Sequence, residues 1–286
     1  MNGIILINKP KDMTSRDVVN IISKLLNIKK VGHTGTLDPI ASGVLAICIN
    51  EGTKIADLIT NYNKEYVGEV KLGIETDTLD ITGNIEKEDK CVNVTNEQIQ
   101  NVLKRFIGKI KQQVPKYSAI KINGKKLYEY ARNNIDVELP VREIEIFEIE
   151  LIEGIVNNKF KIRCSVSKGT YIRSLIRDIG HSLNTYATME SLIRTKQGKF
   201  NIEDCCTLDD IKNNNYKVIS LEEALNDFPS VKVEKELELK IRNGAIIEKF
   251  FNEDKIAILN NENKIIAIYQ TYDKDITKAK PYKMFI

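Results

Sequence analysis

The sequence predicts an α+β chain, with a central mixed or antiparallel sheet flanked by helices and a small β-rich unit at its C-terminal end. Three observations carry this. Short apolar or alternating segments recur from Gly3–Ile7 to Ile265–Tyr269, with no repeat period. Amphipathic stretches of helical spacing fall among them irregularly, not after every strand. No strand runs through a glycine fingerprint into a helix, so a doubly wound nucleotide-binding sheet is not indicated.

Taken in order, Gly3–Ile7 (GIILI) reads as a strand closed by Asn8-Lys9-Pro10. Thr14 or Ser15 then caps a helix in which Val18, Val19, Ile21, Ile22, Leu25 and Leu26 recur at helical spacing. The stretch Gly32–Leu45 (GHTGTLDPIASGVL) has no apolar period. It sets Gly32, Gly35 and Gly43 around one carboxylate, Asp38, with Pro39 directly after it, and runs into the buried-strand pattern VLAICI at Val44–Ile49. A tight surface turn, with Asp38 bonding its own backbone, is the plain alternative. Thr53 is expected to cap a short helix through Ile59, and Tyr66–Leu72 alternates as a strand. Glu75–Gly83 (ETDTLDITG) is a polar turn, and Thr95–Gln98 is a capping box before a helix carrying Ile99, Val102, Leu103 and Phe106.

Residues 115–142 are rich in charge and aromatics, with a short helix at Leu127–Arg132 and few residues able to anchor a core. Arg142–Leu151 alternates Glu with Ile, and Phe147 breaks the period as a bulge would. Lys159–Val166 is its expected partner strand. Ser167-Lys168-Gly169 makes a turn, Thr170–Leu183 an amphipathic helix and Met189–Thr195 another strand. Phe228-Pro229 reads as a hinge between a domain of residues 1–228 and a unit of residues 229–286, which carries strands at Lys255–Leu259 and Ile265–Tyr269 and a lysine-rich end.

Composition is that of a globular protein, 42% hydrophobic and 29% charged. No apolar run reaches the length of a membrane span, and the N-terminus shows no basic leader before an apolar stretch, so a cytoplasmic protein without a membrane partner is expected. The five cysteines are odd in number and form no C-x-x-C pair, which suits reduced thiols. With His33 and His181 the only histidines, no metal site is expected. The net charge of +3 is small, but Lys and Arg gather in 109–132 and 161–199. Such clusters suit a polyanion, or are simply solvated faces.

Four segments read together carry a resemblance. They are Asn8–Ser15 (NKPKDMTS), the Gly32–Leu45 stretch, Lys64-Glu65-Tyr66 with the TDTLD turn, and Ser167–Ser174 (SKGTYIRS). Together with the P-x-YSAIK and YEYAR strings of 115–132, they closely resemble the bacterial tRNA pseudouridine synthases of the TruB family, almost without a gap over residues 3–200. The resemblance implies the pseudouridine synthase fold and isomerisation of uridine 55 in the T-arm loop of tRNA, with the target base flipped out of its stack. That reaction breaks the C1′–N1 bond, turns the base and joins C1′ to C5, so it needs no redox step and no cofactor.

The resemblance places Asp38 as the nucleophile, attacking either C1′ or C6, with Arg173 as the cation that keeps it ionised. It places Tyr66 against the target base, where it stacks and helps remove the C5 proton, and gives Tyr171 and Leu192 as pocket walls. Without it, Tyr66 reads as a half-buried strand residue and Arg173 as a structural or phosphate-binding arginine. His33 is placed at the RNA, although a loop histidine is often simply hydrogen-bonded, and Lys9 and Pro10 are expected to pack beneath the active loop. Residues 115–142 correspond to a thumb-like RNA-binding insertion, with Lys116, Lys121, Lys125, Lys126 and Arg132 meeting phosphates, and Lys168 joins them from the turn. Val114 stands where the family usually has the first of two prolines. Residues 229–286 take the place of a PUA-like RNA-binding domain, and Lys278, Lys280 and Lys283 are expected to lie along the RNA. A guide-dependent synthase would carry longer charged extensions, so a stand-alone monomer with no obligate protein partner is expected.

Overall fold

The structure is a computed structural model, and it describes residues 1–133 and 135–285. Its main feature is a mixed sheet with the path Gly3–Lys9, Ser42–Ile49, Ala187–Gln197, Lys64–Leu72, Lys159–Val166, Val141–Val156 and Gly108–Gln113. Val31–Thr34 and Phe200–Asn201 pair alongside. Gly3–Lys9 and Ser42–Ile49 are buried almost throughout, as unbroken apolar runs require. Lys64–Leu72 alternates strictly, with Lys64, Tyr66, Gly68, Val70 and Leu72 turned inward.

One junction differs from the rest of the sheet. Ser42–Ile49 and Ala187–Gln197 run parallel and meet only through Ile193 opposite Ser42 and Arg194 opposite Gly43. The other neighbours in this sheet are antiparallel. Two antiparallel halves therefore meet along a short parallel seam.

Helices cover both halves. Thr14 caps Ser15–Leu25 reciprocally with Asp17, and Val18, Val19 and Ile22 pack on the first half with Ile5, Ile7, Leu45 and Ile47. Thr95 and Gln98 form the expected capping box for Asn96–Lys104, which buries Ile99, Val102 and Leu103 on the second half. Ile172–Ser182 packs beside it and begins two residues later than expected, because Tyr171 is still extended.

Several expectations change. Gly32–Leu45 is not one loop: Val31–Thr34 is a strand antiparallel to Ser42–Ile49, so the stretch is a hairpin with its tip at 35–41. Thr53 does not cap a helix. It lies inside a 3-10 turn, Asn50–Ile55, where its hydroxyl donates to Asn50 O at 2.7 Å, and the α-helix begins at Ala56 without a side-chain cap. The bulge expected at Phe147 is present, since the register slips between Ile146 and Glu148. Segment 115–142 has more anchorage than its composition suggests, for Pro115 and Ser118 are buried and Leu127 is 1% exposed.

The C-terminal unit is a five-stranded sheet in the order Ser230–Lys232, Lys255–Leu259, Ile265–Tyr272, Asp275–Met284 and Ile247–Glu248. Phe228-Pro229 is not a free hinge. Ala257, Ile265, Ile268 and Phe285 share one apolar cluster with Ile4, Leu6, Val44, Ile55 and Ile59 of the large sheet and its short helix. Lys54 Nζ donates to Met284 O at 2.6 Å, and Tyr282 bonds Asp57. The tail lysines are also committed within the protein: Lys278 to Asp275, Lys280 to Asp273 and Lys283 to Asp57. Among the described residues, no helix is long and apolar enough to cross a membrane.

Candidate active site

Asp38 sits at the tip of the first hairpin, just ahead of the seam, and the residues beside it are tied to distant elements. The Leu37 amide donates to Ser15 Oγ at 2.9 Å, and the Ser15 hydroxyl donates back to Leu37 O at 3.2 Å. Pro39 O accepts from the Asp12 amide at 2.8 Å and from Lys9 Nζ at 3.3 Å. Lys9 is fully buried and also donates to Pro10 O and Met13 O, so it lies beneath the active hairpin as expected, whereas Pro10, expected beside it, is exposed. Burial lowers its pKa to about 8, against the raising effect of Asp38 and Asp12. Leu37 and Ala41 plug into the core on either side. The side chain of Asp38 stays 37% exposed, anchored at its base and open above.

Arg173 meets it from the start of the Ile172–Ser182 helix. Its Nε lies 2.8 Å from Asp38 Oδ2 and its Nη2 donates to Asp38 Oδ1 at 3.0 Å, a two-point pairing. The same guanidinium donates to Thr78 O at 2.8 Å and Tyr117 O at 3.0 Å, with Asp80 Oδ2 at 3.7 Å. Asp80 is itself held by the hydroxyls of Thr78 and Thr82. The polar turn read at Glu75–Gly83 is the tip of a hairpin between Ile74–Thr76 and Ile85–Glu88, and it holds the arginine that holds the carboxylate.

These groups open on a cavity of about 510 Å³, lined among others by Asp38, Tyr66, Tyr171, Arg173, Leu192 and Arg194. Tyr66 is 8% exposed, and burial raises the pKa of its phenol, with Arg194 acting against the rise. Leu192 lies opposite Gly68, where a Cβ would stand 3.4 Å from Leu192 Cδ1. Burial also raises the pKa of Tyr171. Lys64 lines the cavity, 7% exposed, with Nζ donating to Thr60 O and Tyr62 O at 2.6 Å each. Burial, then Arg194 and Lys168, lower its pKa to about 8. The walls are largely apolar and aromatic, a shape suited to a planar ring, with one carboxylate and several cations at the edges.

Of the residues expected from sequence, Asp38, Tyr66, Arg173, Tyr171, Leu192 and Lys168 line this single cavity. The others do not. His33 lies on Val31–Thr34 opposite Ile47, with Nδ1 buried and unpartnered. Burial, then Arg16 and Arg194, hold its pKa below the usual imidazole value. Lys121 and Lys125 are exposed on a small hairpin turned by Asn123-Gly124, both at positive φ. Lys126 and Arg132 both lie over the Tyr128 ring at 5.3 Å, and Tyr128 lines the cavity. Lys116 lines a neighbouring recess with Tyr117 and Leu127.

Sequence reasoning assigned no role to Lys64, Asp80, Tyr117, Tyr128 or Arg194, and read Ser15 only as an alternative to Thr14 for the helix cap. Asp80 lay within the polar turn already singled out, whereas Arg194 has no local signal at all. Among the described residues, no cluster of three or more His, Cys, Asp or Glu could hold a metal ion.

Known proteins share this sequence and fold. Residues 23–172 match the family described as TruB family pseudouridylate synthase (N terminal domain), and residues 173–228 match the tRNA pseudouridylate synthase B C-terminal domain. The tRNA pseudouridine synthase B of Halalkalibacterium halodurans is 42% identical over 99% of this chain and 97% of that protein. That of Clostridium tetani is 44% identical over 94% of this chain and 92% of its own length. Among solved structures, a chain of an H/ACA RNP bound to a substrate RNA containing 2′-deoxyuridine aligns with a TM-score of 0.74 and 25% identity, covering 99% of this chain and 85% of that one.

Proposed function

Since the chain belongs to the TruB family of pseudouridylate synthases and is a tRNA pseudouridine synthase, we propose that its target is uridine 55 in the T-arm loop, flipped into the Asp38 cavity, with Asp38 as nucleophile. The fold is the pseudouridine synthase fold. The observation that carries the proposal is the buried Arg173 fork gripping a carboxylate whose open side faces an aromatic-walled cavity.

The chemistry follows from that arrangement. A carboxylate that attacks must be ionised, and a fixed guanidinium favours the charged form. Arg173 uses one direction on each oxygen and leaves other lone pairs free to attack C1′ or C6. Tyr66 offers a ring face to the flipped base, and Leu192 and Tyr171 close the sides against water. Lys168, at the rim, and the lysines of 115–142 hold the RNA backbone, while the 229–286 unit is a PUA-like RNA-binding domain that extends the contact surface.

The test is a mass-based assay on unmodified tRNA and on an isolated T-arm hairpin. Wild type is expected to convert one uridine, at position 55, in both. Asp38→Asn is expected to lose several orders of magnitude in turnover, on the scale of other removed nucleophiles, and to keep its RNA affinity. Appreciable product from purified Asp38→Asn refutes the nucleophile assignment, and product at another uridine refutes the position.

A further inference from the structure

Arg194 takes no part in the chemistry above, yet it is 1% exposed and the bulkiest of the fully buried side chains. Its Nε donates to Val44 O at 2.7 Å and its Nη2 to Gly35 O at 3.0 Å, both neutral carbonyls. The two carboxylates of the site, Asp38 and Asp80, face Arg173 instead. A guanidinium taken out of water without a counter-ion costs several kcal/mol. Such a charge is expected to meet an anion at some stage of the working cycle.

The sheet register identifies what it faces. Lys9 pairs with Gly43, Gly43 with Arg194, Arg194 with Tyr66 and Tyr66 with Cys164, a single row across five strands. Directly paired residues share a face, so Arg194 and Tyr66 stand side by side, and both line the cavity. Gly43 allows this closeness. Its φ is +104°, and a Cβ there would lie 2.2 Å from the Arg194 carbonyl, so a larger residue would push the seam apart.

We propose that Arg194 is a positioning residue for Tyr66, fixing the phenol at the cavity wall and supplying the counter-charge that lets its oxygen take the C5 proton. This rests on the proposed reaction at the Asp38 cavity. Once C1′ is joined to C5, that carbon still carries its hydrogen. The phenolate oxygen takes the proton and becomes a phenol. The C5–H electron pair becomes the C5=C6 bond, the C6=N1 pair moves onto N1, and N1 takes a proton from water. The phenol then returns its proton to solvent, so no oxidant or other co-reactant is needed.

The other groups around Tyr66 fit this role. Burial raises the phenol pKa most, and Arg194 is the group that opposes it. Cys164, on the strand at its other side, is a neutral thiol pushed up to about 12 by burial. Asp38, across the cavity, raises the phenol pKa, although Arg173 is paired to it. Lys64 and Lys168 complete the charged lining.

The experiment is single-turnover conversion of a T-arm hairpin carrying uridine or 5-deuterouridine at the target, across pH, by wild type, Arg194→Gln, Arg194→Lys and Asp38→Asn. Arg194→Gln is expected to slow conversion by roughly 100-fold, the scale of a lost proton-transfer catalyst, with KM near that of wild type. It should show a C5 deuterium isotope effect, and its rise in rate with pH should move alkaline by about 1–3 units. Arg194→Lys keeps the cation and should keep the wild-type pH profile, and it carries the test if Arg194→Gln does not fold. Equal loss at every pH with no isotope effect, in either variant, would mean that the guanidinium only braces Gly35 and Val44. Loss confined to KM would mean that it holds an RNA phosphate. Both results overturn the inference. Failure of the underlying reading looks different, because Asp38→Asn would then remain active.

Discussion

Two segments line the same cavity and are held in opposite ways. The tip carrying Asp38 is pinned from far along the chain: by Ser15 at 22 residues' separation, Lys9 at 30, Arg173 at 135 and Arg194 at 159. The 115–142 segment is held mainly by itself. Leu127 N donates to Ile120 O, Tyr128 N to Ser118 O and the Tyr130 hydroxyl to Ile122 O, with Leu127 as its apolar peg. The contrast teaches a division of labour. Attack by a carboxylate tolerates little displacement, so its loop is fixed by many independent elements. Gripping a backbone tolerates more, so local contacts and exposed cations suffice.

The largest effect within that comparison is expected at Ser15. Ser15→Ala leaves the buried Leu37 amide without its acceptor, which costs about 1–3 kcal/mol. It also loosens the chain next to Asp38. A fall in kcat of up to roughly 100-fold with little change in KM is expected, since misplacement of about 1 Å can cost that much. Steady-state kinetics on the hairpin substrate checks it, and an effect on KM alone would place Ser15 with the RNA-gripping elements.

The reverse split is expected from Lys121→Ala with Lys125→Ala. KM should rise at moderate salt while the saturated rate holds. The slope of log affinity against log salt should shrink by about 0.7–0.9 for each lysine that meets a phosphate. An unchanged slope removes both residues from the RNA surface.

The smallest effect concerns Lys9, whose pKa in the folded protein is lowered to about 8 from the ordinary 10.5. Between those values the unfolded chain binds the extra proton, so the contribution of Lys9 to stability rises with pH across roughly 8 to 10.5. Below about pH 8 the buried ammonium carries its full desolvation cost. The melting temperature of wild type minus that of Lys9→Met should therefore climb through this window. A flat difference would mean that the Lys9 ammonium is not strained by burial.

The same contrast explains what could be read in the sequence. Capping boxes, strand alternation and the bulge at Phe147 are local devices, and they stand at the residues expected for them. The Asp38 motif and Arg173 were legible because long motif strings carry them. Arg194 and Ser15 were not, because their roles exist only once residues far apart in the chain are brought together by register or packing. Thr53 misled for a related reason. A threonine before an apolar turn satisfies the cap pattern equally well when its hydroxyl folds back onto Asn50 O. Among the tail lysines, the pairing of Lys283 with Asp57 could not be read locally because Asp57 lies in another part of the fold, whereas Lys278 and Lys280 pair with Asp275 and Asp273 close by in the chain.

The row from Lys9 through Gly43, Arg194 and Tyr66 to Cys164 also has a consequence for how the protein is made. During synthesis Asp38 leaves the ribosome long before Arg173, and the seam strand Ala187–Gln197 comes later still. Contacts at such sequence separation form slowly. The nascent first half waits with Ile4, Leu6, Ile55 and Ile59 uncovered, and part of their cover, Phe285, is made long after them. Chains paused between Asp38 and Arg173 therefore hold the reactive motif but no assembled centre. The same uncovered apolar face makes those unfinished chains the stage most open to aggregation and most in need of chaperone protection.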